Sequence, residues 1–230
     1  MVRIWQIAPG PQQWRVVVAW YEHDGANLLS VAWGRDGRSL FTGDRRGRVA
    51  RWDVDPDTER WDDGTIAQFA KVGWEGLMAW VGDHRATVTR IPSWIDGGHA
   101  QVWTVRVAPD GQSVVAAGGD GTVSAYEAVS GRVQWRHVGR VGGAFEGLDC
   151  HPDRKIVAAG ASDGTIVLLD ATDGSVIDRL TGHEDDVAAL AWSPDGRRLA
   201  STAGGLRLSY ALAAMVAGPD MTARIWAPRP

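Results

Sequence analysis

The side chains of this 230-residue chain that could act as nucleophiles or bases include one cysteine and six histidines. Cys150 stands beside His151, and a thiolate activated by an imidazole is a known arrangement for covalent catalysis. Residues 148–150 read as a short strand, however, and neighbouring residues of a strand point to opposite faces. The two side chains would then face away from each other, so we expect Cys150 to lie in the core.

The histidines and acidic side chains do not show the spacing of a metal site. No pair has the His-x-x-x-His or His-Glu-x-x-His pattern that binds zinc. Residues 184–186 form an acidic run that either holds a cation or lies in a solvated loop, and we favour the loop. The glycines of residues 118–121 precede a predicted strand rather than a helix, so they do not form a phosphate cradle. We predict no catalytic residue, no metal and no cofactor, and hence a protein that is not an enzyme.

Aspartates recur instead at the tips of predicted hairpins. Short runs at residues 30–33, 105–107, 148–150 and 190–192 each lead into a tight turn. An aspartate in such a turn accepts hydrogen bonds from its own backbone, which makes it a structural residue rather than a catalytic one. The four tip residues are Asp36, Asp110, Asp153 and Asp195.

These hairpins belong to a longer repeated unit. A second strand follows each tip, and then come a second turn, a third strand and a weaker outer strand, as in residues 113–137. The unit recurs about every 40 residues. Four short antiparallel strands at this spacing predict the blades of a β-propeller, an all-β fold.

The clearest unit begins at His183, continues through Ser201 and closes with Asp220 and Trp226. These residues and their order resemble the WD40 repeat family. The resemblance implies that the four side chains form a hydrogen-bonded tetrad. Such a tetrad would stabilise the last blade, because buried polar groups require partners.

The other units depart from the family pattern. Arg46 replaces the aspartate of the second turn in one unit, and Ala116 and Ala159 replace the hydroxyl residue in two others. Tyr126 and Leu169 take the place of the tryptophan. We expect these blades to be held together mainly by apolar packing.

We interpret residues 1–230 as one propeller domain of about five blades with an incomplete or irregular ring. Residues 76–81 and 87–91 are predicted to be strands of a degenerate blade. Trp14–Trp20 is predicted to be the outer strand that closes the last blade. Residues 2–5 resemble a further third strand without a blade before it. This orphan strand indicates either a fragment of a larger propeller, which we favour, or a displaced first strand.

Residues 205–219 interrupt the second hairpin of the last blade and are predicted to be an insertion. The leucine, alanine and methionine content of residues 206–216 favours a helix. The segment is either a helical lid that docks a partner or an insertion without function, and we favour the second interpretation.

Composition limits the partners. The formal net charge of -4 argues against nucleic acid or an anionic membrane, since both select clustered lysine and arginine. The longest apolar stretch, residues 206–218, contains Arg207 and is shorter than the roughly 20 residues that a spanning helix needs. The single cysteine and the absence of a secretory signal pattern are typical of a reducing, cytoplasmic location.

The family resemblance also implies a binding face around the central channel of the ring. Apolar residues that point into the core, Leu28, Val102, Phe145 and Val187, start each inner strand, and their neighbours point away. The predicted face comprises the residues beside these positions and the residue before each second-turn aspartate: Leu29, Trp103, Glu146 and Ala188; Asn27, Gln101, Ala144 and Asp186; and Arg45, Gly119, Ser162 and Pro219.

The function that follows is a non-catalytic scaffold that presents this face to a protein or peptide partner. Trp103 and Arg45 are residue types that dominate interface energetics, and Trp103 is the predicted anchor. One alternative is a fragment of a larger regulatory protein that associates with itself through open blade edges. Another is a propeller-based hydrolase, for which no set of converging carboxylates or histidines is visible.

Overall fold

A computed structural model describes residues 27–53, 99–140, 143–204 and 220–227 in full, and the backbone of five further strands. Every regular element in the described part of the chain is a strand, as the sequence predicts. The strands are β1 (Val2–Ile7), β2 (Trp14–Trp20), β3 (Leu28–Trp33), β4 (Ser39–Asp44), β5 (Val49–Asp53), β6 (Ser93–Ile95), β7 (Val102–Val107), β8 (Ser113–Gly118), β9 (Thr122–Glu127), β10 (Val133–Val138), β11 (Phe145–Cys150), β12 (Ile156–Ala161), β13 (Ile166–Asp170), β14 (Val176–Leu180), β15 (Val187–Trp192), β16 (Leu199–Ala203), β17 (Leu206–Ser209), β18 (Ala214–Ala217) and β19 (Ala223–Trp226).

Most of these strands form four antiparallel sheets that follow one another along the chain. Strands β3–β6, β7–β10 and β11–β14 make four-stranded sheets in sequential order. The last sheet has the order β15-β16-β19, and β17 and β18 pair as a separate hairpin between its second and third strands. Four-stranded meanders arranged in this way are propeller blades, so the predicted all-β propeller fold is confirmed.

Apolar side chains fill the space between consecutive sheets. Phe41 and Val49 of the first sheet pack against Val105 and Tyr126 of the second. Val115 of the second sheet belongs to the cluster that includes residues of the third, and Ala158 of the third packs with Leu190 and Leu199 of the fourth. The described sheets form an open arc in which each sheet stacks on the next, and not a closed ring.

Glycines allow the second strand of one sheet to approach the inner strand of the next sheet closely. A Cβ atom at Gly43 would lie 2.4 Å from Val102 Cγ1, and one at Gly160 would lie 2.7 Å from the carbonyl oxygen of Val187. Contacts this short exclude a larger side chain, so glycine at these positions sets the spacing between neighbouring sheets.

The predicted closing strand does not pair with the last blade. Trp14–Trp20 is a strand, but it pairs antiparallel with β1 from Val2↔Trp20 to Ile7↔Trp14. The prediction that it completes the sheet of β19 is therefore wrong. Residues 2–5 are also in a strand, and their partner is β2, because two adjacent apolar strands joined by a short connection pair locally.

The outer strand of the first sheet is β6, which pairs with β5 from Val49↔Ile95 to Arg51↔Ser93. It comes from just before the second sheet rather than from just after β5. The predicted strands at residues 76–81 and 87–91 lie outside the described residues.

The insertion in the last blade contains a β-hairpin. Strands β17 and β18 pair from Leu206↔Ala217 to Ser209↔Ala214, so the predicted helix is wrong for these residues. Helix propensity is a weak preference, and the alternation of Leu206, Arg207 and Leu208 suits a strand equally well.

Candidate functional site

Cys150 and His151 do not form a catalytic pair. Cys150 is partly buried, and burial raises the pKa of its thiol to about 12, so the reactive thiolate is not populated near neutral pH. His151 Nδ1 accepts hydrogen bonds from the backbone N–H groups of Asp153 and Arg154, at 3.0 and 2.9 Å. Its Nε2–H donates to the carbonyl oxygen of Gly196 at 3.0 Å. Both ring nitrogens therefore serve the structure of two hairpin turns.

The hairpin-tip aspartates also bond within their own turns. Asp36 Oδ1 accepts hydrogen bonds from the N–H groups of Arg38 and Ser39, at 2.9 and 2.8 Å. Asp110 and Asp195 accept the equivalent bond from the residue two positions later. In the third sheet His151 Nδ1 fills this role, which the sequence pattern assigned to Asp153.

The four residues of the predicted tetrad form a continuous chain in the last sheet. His183 Nδ1–H donates to Asp220 Oδ2 at 2.7 Å, since a carboxylate can only accept. Ser201 Oγ–H then donates to His183 Nε2 at 2.7 Å, and Trp226 Nε1–H donates to Ser201 Oγ at 2.8 Å. Hydrogen bonds, first of all from Thr222, hold the pKa of Asp220 well below its usual range. This chain of hydrogen bonds connects the start of the blade to its last two strands.

A second polar set exists in the second sheet, which was expected to be held together mainly by apolar packing. Thr122 Oγ1 lies 2.6 Å from His99 Nδ1, and Asp120 Oδ1 lies 3.1 Å from the same nitrogen. The hydroxyl of Tyr126 is 3.3 Å from His99 Nε2, so it takes the place of both the serine and the tryptophan. Burial lowers the pKa of His99 and outweighs the opposing effect of Asp120. The signal in the sequence was the polar hydroxyl of Tyr126 at the tryptophan position.

Four backbone hydrogen bonds hold the predicted face in register. In each sheet the residue at the second turn donates its N–H to the carbonyl of the residue at the start of the inner strand. The pairs are Arg45 with Asn27, Gly119 with Gln101, Ser162 with Ala144, and Gly204 with Asp186, at 2.9 to 3.1 Å. In the last sheet Gly204 therefore occupies the position that the sequence assigned to Pro219, which lies outside the described residues.

Neighbouring inner strands run side by side, so these positions, which lie at or beside the start of each inner strand, share one face of the arc. Ser30 Oγ accepts a hydrogen bond from Val105 N–H, and Thr104 Oγ1–H donates to the carbonyl of Glu146 at 2.6 Å. Asn27, Leu29, Arg45 and Ala188 are exposed there. Gln101, Ala144, Glu146, Gly119, Ser162 and Asp186 are half-buried.

Trp103 lies on this face and is 38% exposed. Its indole covers Gly119, because a Cβ atom at Gly119 would meet Trp103 Nε1 at 3.1 Å and Gln101 Cβ at 3.6 Å. Trp103 therefore packs on the turn of its own sheet and presents the remaining part of the ring to solvent. Ser162 Oγ, by contrast, accepts a hydrogen bond from Ala144 N–H at 3.0 Å and helps to hold the loop.

Two carboxylates give the face a local negative charge. Burial raises the pKa of Glu146, and the negative charge of Asp186 raises it further. Burial also raises the pKa of Asp186. Partial desolvation together with the neighbouring negative charge favours the protonated form of Glu146, and a positively charged group at this point would favour its ionised form.

A cavity of about 310 Å³ opens beside the face between the second and third sheets. Arg140, Ala144, Ser162, Asp163 and Arg179 are among the residues that line it. Within the described ranges, no three His, Cys, Asp or Glu side chains come together as a metal site. The described residues also include no helix with the length and hydrophobicity needed to traverse a lipid bilayer.

Comparison with protein families supports what the sheets show. The profile of the WD domain, G-beta repeat, matches residues 90–127 and 174–227. The profile of the anaphase-promoting complex subunit 4 WD40 domain matches residues 132–195. The chain belongs to the WD40-repeat family. WD40 repeats generally mediate protein interactions, and proteins of this family are typically not enzymes.

Solved structures with the same fold are distant in sequence. The computationally designed Ika4 protein has a TM-score of 0.59 at 20% identity, with 92% of this chain and 96% of that chain covered. The structure of U3-55K has a TM-score of 0.58 at 14% identity, with 88% and 54% covered. The designed Ika8 protein has a TM-score of 0.58 at 18% identity, with 94% and 50% covered. The chain thus spans about half the length of the last two, and no curated protein matches it significantly.

Proposed function

We propose that this WD40 protein is a non-catalytic scaffold that binds a protein or peptide segment on the face around Trp103. The observation that carries the proposal is the position of the Trp103 indole. It is partly exposed, it packs on Gly119, and it lies on the same face of the arc as Glu146 and Asp186. A large aromatic side chain held by its own turn loses little entropy when a partner covers it, which favours its use as an anchor.

The carboxylates suggest the chemistry of the partner. The pKa values of Glu146 and Asp186 are both raised, so each carboxylate is less stable than it would be in water. A lysine or arginine would relieve this cost and can also stack on the indole of Trp103. We therefore expect a segment that carries a basic side chain next to an apolar one.

Selection from a displayed random-peptide library tests the proposal. The wild-type chain should enrich peptides that contain lysine or arginine, and the Trp103→Ala variant should lose them. Ile177→Ala is the control, because Ile177 is an exposed large apolar side chain (50%) that lies on the outer strand β14, away from the face. If the same peptides are enriched on all three proteins, the proposed face is not the binding site.

A further inference from the structure

No described residue covers one of the two faces of the last sheet. Six side chains on this face are neighbours across the strands, since Ala189 pairs with Thr202, Ala191 with Ala200, Ala200 with Ile225 and Thr202 with Ala223. All six are exposed, and Ile225 reaches 73%. We call these residues, Ala189, Ala191, Ala200, Thr202, Ala223 and Ile225, the terminal face. None of them carries a charge.

Equivalent positions in the other sheets are fully covered. Val115 and Ala117 of β8 occupy the positions that Ala200 and Thr202 occupy in β16, and they are 1% and 0% exposed. Phe41 of β4 and Ala158 of β12 are also equivalent to Ala200, at 1% and 0%. In each case the next sheet of the arc provides the cover. The terminal face is thus a stacking surface of the kind this chain uses three times internally.

The first sheet carries the complementary exposed surface on its inner strand. Val31 is 54% exposed, whereas its equivalents Val105, Leu148 and Leu190 are 0%, 1% and 6% exposed. These equivalents pack against the preceding sheet of the arc. Trp33, two residues after Val31, is 46% exposed. The side chain that would contact a preceding sheet is therefore present and uncovered.

We propose that the terminal face binds the first sheet of a second copy of this chain, at Val31 and Trp33. The complement of an uncharged stacking face is the opposite face of another propeller sheet, and the described part of the chain exposes one such surface at its other end. Two copies related by a twofold axis would make this head-to-tail contact twice and leave neither surface open.

The proposal does not depend on the partner-binding face, because Trp103 and Glu146 are not part of either surface.

Light scattering on a sizing column tests the proposal with three single variants. The wild-type chain should run at twice its mass of 24.8 kDa. Ile225→Lys and Val31→Asp should each run at the mass of one chain, because a charge would be buried in both contacts. Val129→Lys is the control: Val129 is 75% exposed in the turn after β9, and this variant should remain a dimer. A cooperative thermal melt of each of the four proteins would show that it is folded, and the two monomeric variants should melt at a lower temperature than the two dimers.

Mixing the two monomeric variants separates head-to-tail pairing from other modes of association. An equimolar mixture of Ile225→Lys and Val31→Asp should regain the dimer mass, because one contact is then wild type and the other joins lysine to aspartate. A wild-type monomer would overturn the proposal. A dimer that persists in Ile225→Lys would also overturn it, since association would then run through open strand edges. A mixture of the two variants that stays monomeric would overturn it as well.

Discussion

At the scale of single residues, polar side chains that read as candidates for chemistry are mostly used for structure. His183, Ser201, Asp220 and Trp226 satisfy one another inside the last sheet. His99 is bonded in the second sheet and His151 between two turns. Once these groups are assigned, the most distinctive features of the predicted face are Trp103 and the raised-pKa carboxylates Glu146 and Asp186.

The role of the tetrad predicts a large effect for a small change. Ser201→Ala would leave His183 Nε2 and Trp226 Nε1 without the hydroxyl that bonds both of them in a buried site. We expect the free energy of unfolding to fall by about 1–3 kcal/mol, as for other buried polar groups that lose a partner. Urea denaturation would measure it. Ser130→Ala, at an exposed turn, is the control and should stay within about 0.5 kcal/mol of wild type.

Glu146 predicts a pH dependence of stability with a definite sign. Its pKa in the folded protein is raised above the ordinary value of 4.5, so its contribution to stability is fully present at low pH and is lost as the pH rises through the folded pKa. Glu146→Gln does not titrate. The melting temperature of the variant, relative to wild type, should therefore be higher at pH 7 than at pH 4. If the difference in melting temperature between the variant and wild type is the same at both pH values, or larger at pH 4, the pKa of Glu146 is not raised in the folded protein.

At the scale of elements, stacking of the sheets depends on glycines that bring backbone against backbone. Gly47 has a φ of 82°, and a Cβ atom there would lie 1.6 Å from the carbonyl oxygen of His99 at the start of the next sheet. Gly37 has a φ of 65°, but a Cβ atom there would meet nothing within 4 Å. A side chain at either position would be strained by the positive φ, but only a side chain at Gly47 would also collide with the next sheet.

Comparing Gly47→Ala with Gly37→Ala isolates the cost of that contact. Both variants should lose about 1 kcal/mol because alanine disfavours a positive φ. Gly47→Ala should lose about 1–3 kcal/mol more, since the first and second sheets must separate to admit a methyl group. Chemical denaturation of both variants gives the difference. Equal losses would mean that the sheets are not held in contact at Gly47.

The repeat in the sequence was sufficient to predict the sheets, but it did not predict which strands pair at the edges of the sheets and at the start of the chain. Hairpin signals such as Asp110 and Gly111 act locally, and β7 to β10 form where they indicate. The pairing of β2 with β1 and the outer position of β6 depend on which strand is nearest in space, which a local pattern does not contain. The hairpin of β17 and β18 was not predicted, because the residue composition of this segment favours a helix and its short alternation of apolar and polar residues is a weak signal.

The candidate site was predictable only in outline. The periodicity of the inner strands indicated which side chains point away from the core, and Leu29 and Trp103 are indeed exposed. The packing of Trp103 on Gly119 and the effect of the Asp186 charge on the pKa of Glu146 arise between segments, so they required coordinates. The structure also moved one position from Pro219 to Gly204, because the insertion separates the two halves of the second turn, between Gly204 and Asp220.

At the scale of the whole molecule, four stacked sheets make a stiff arc with a face at one end of its inner strands. Hydrogen bonds between neighbouring inner strands, such as that from Trp192 N–H to Asp149 Oδ2 at 2.6 Å, fix the sheets relative to one another. A rigid surface of this kind binds without a large ordering cost. The proposed function therefore depends on the claim that Trp103 is an anchor for a protein segment.

The measurement that tests this claim most directly is calorimetric titration of a library-selected basic peptide into wild type, Trp103→Ala and Ile177→Ala. We expect Trp103→Ala to weaken binding by about tenfold or more, which corresponds to roughly 1.4 kcal/mol or more, as for an interface anchor. Ile177→Ala should bind as tightly as wild type, because Ile177 lies on the outer strand of the third sheet, away from the face. Equal affinity of wild type and Trp103→Ala would contradict the account.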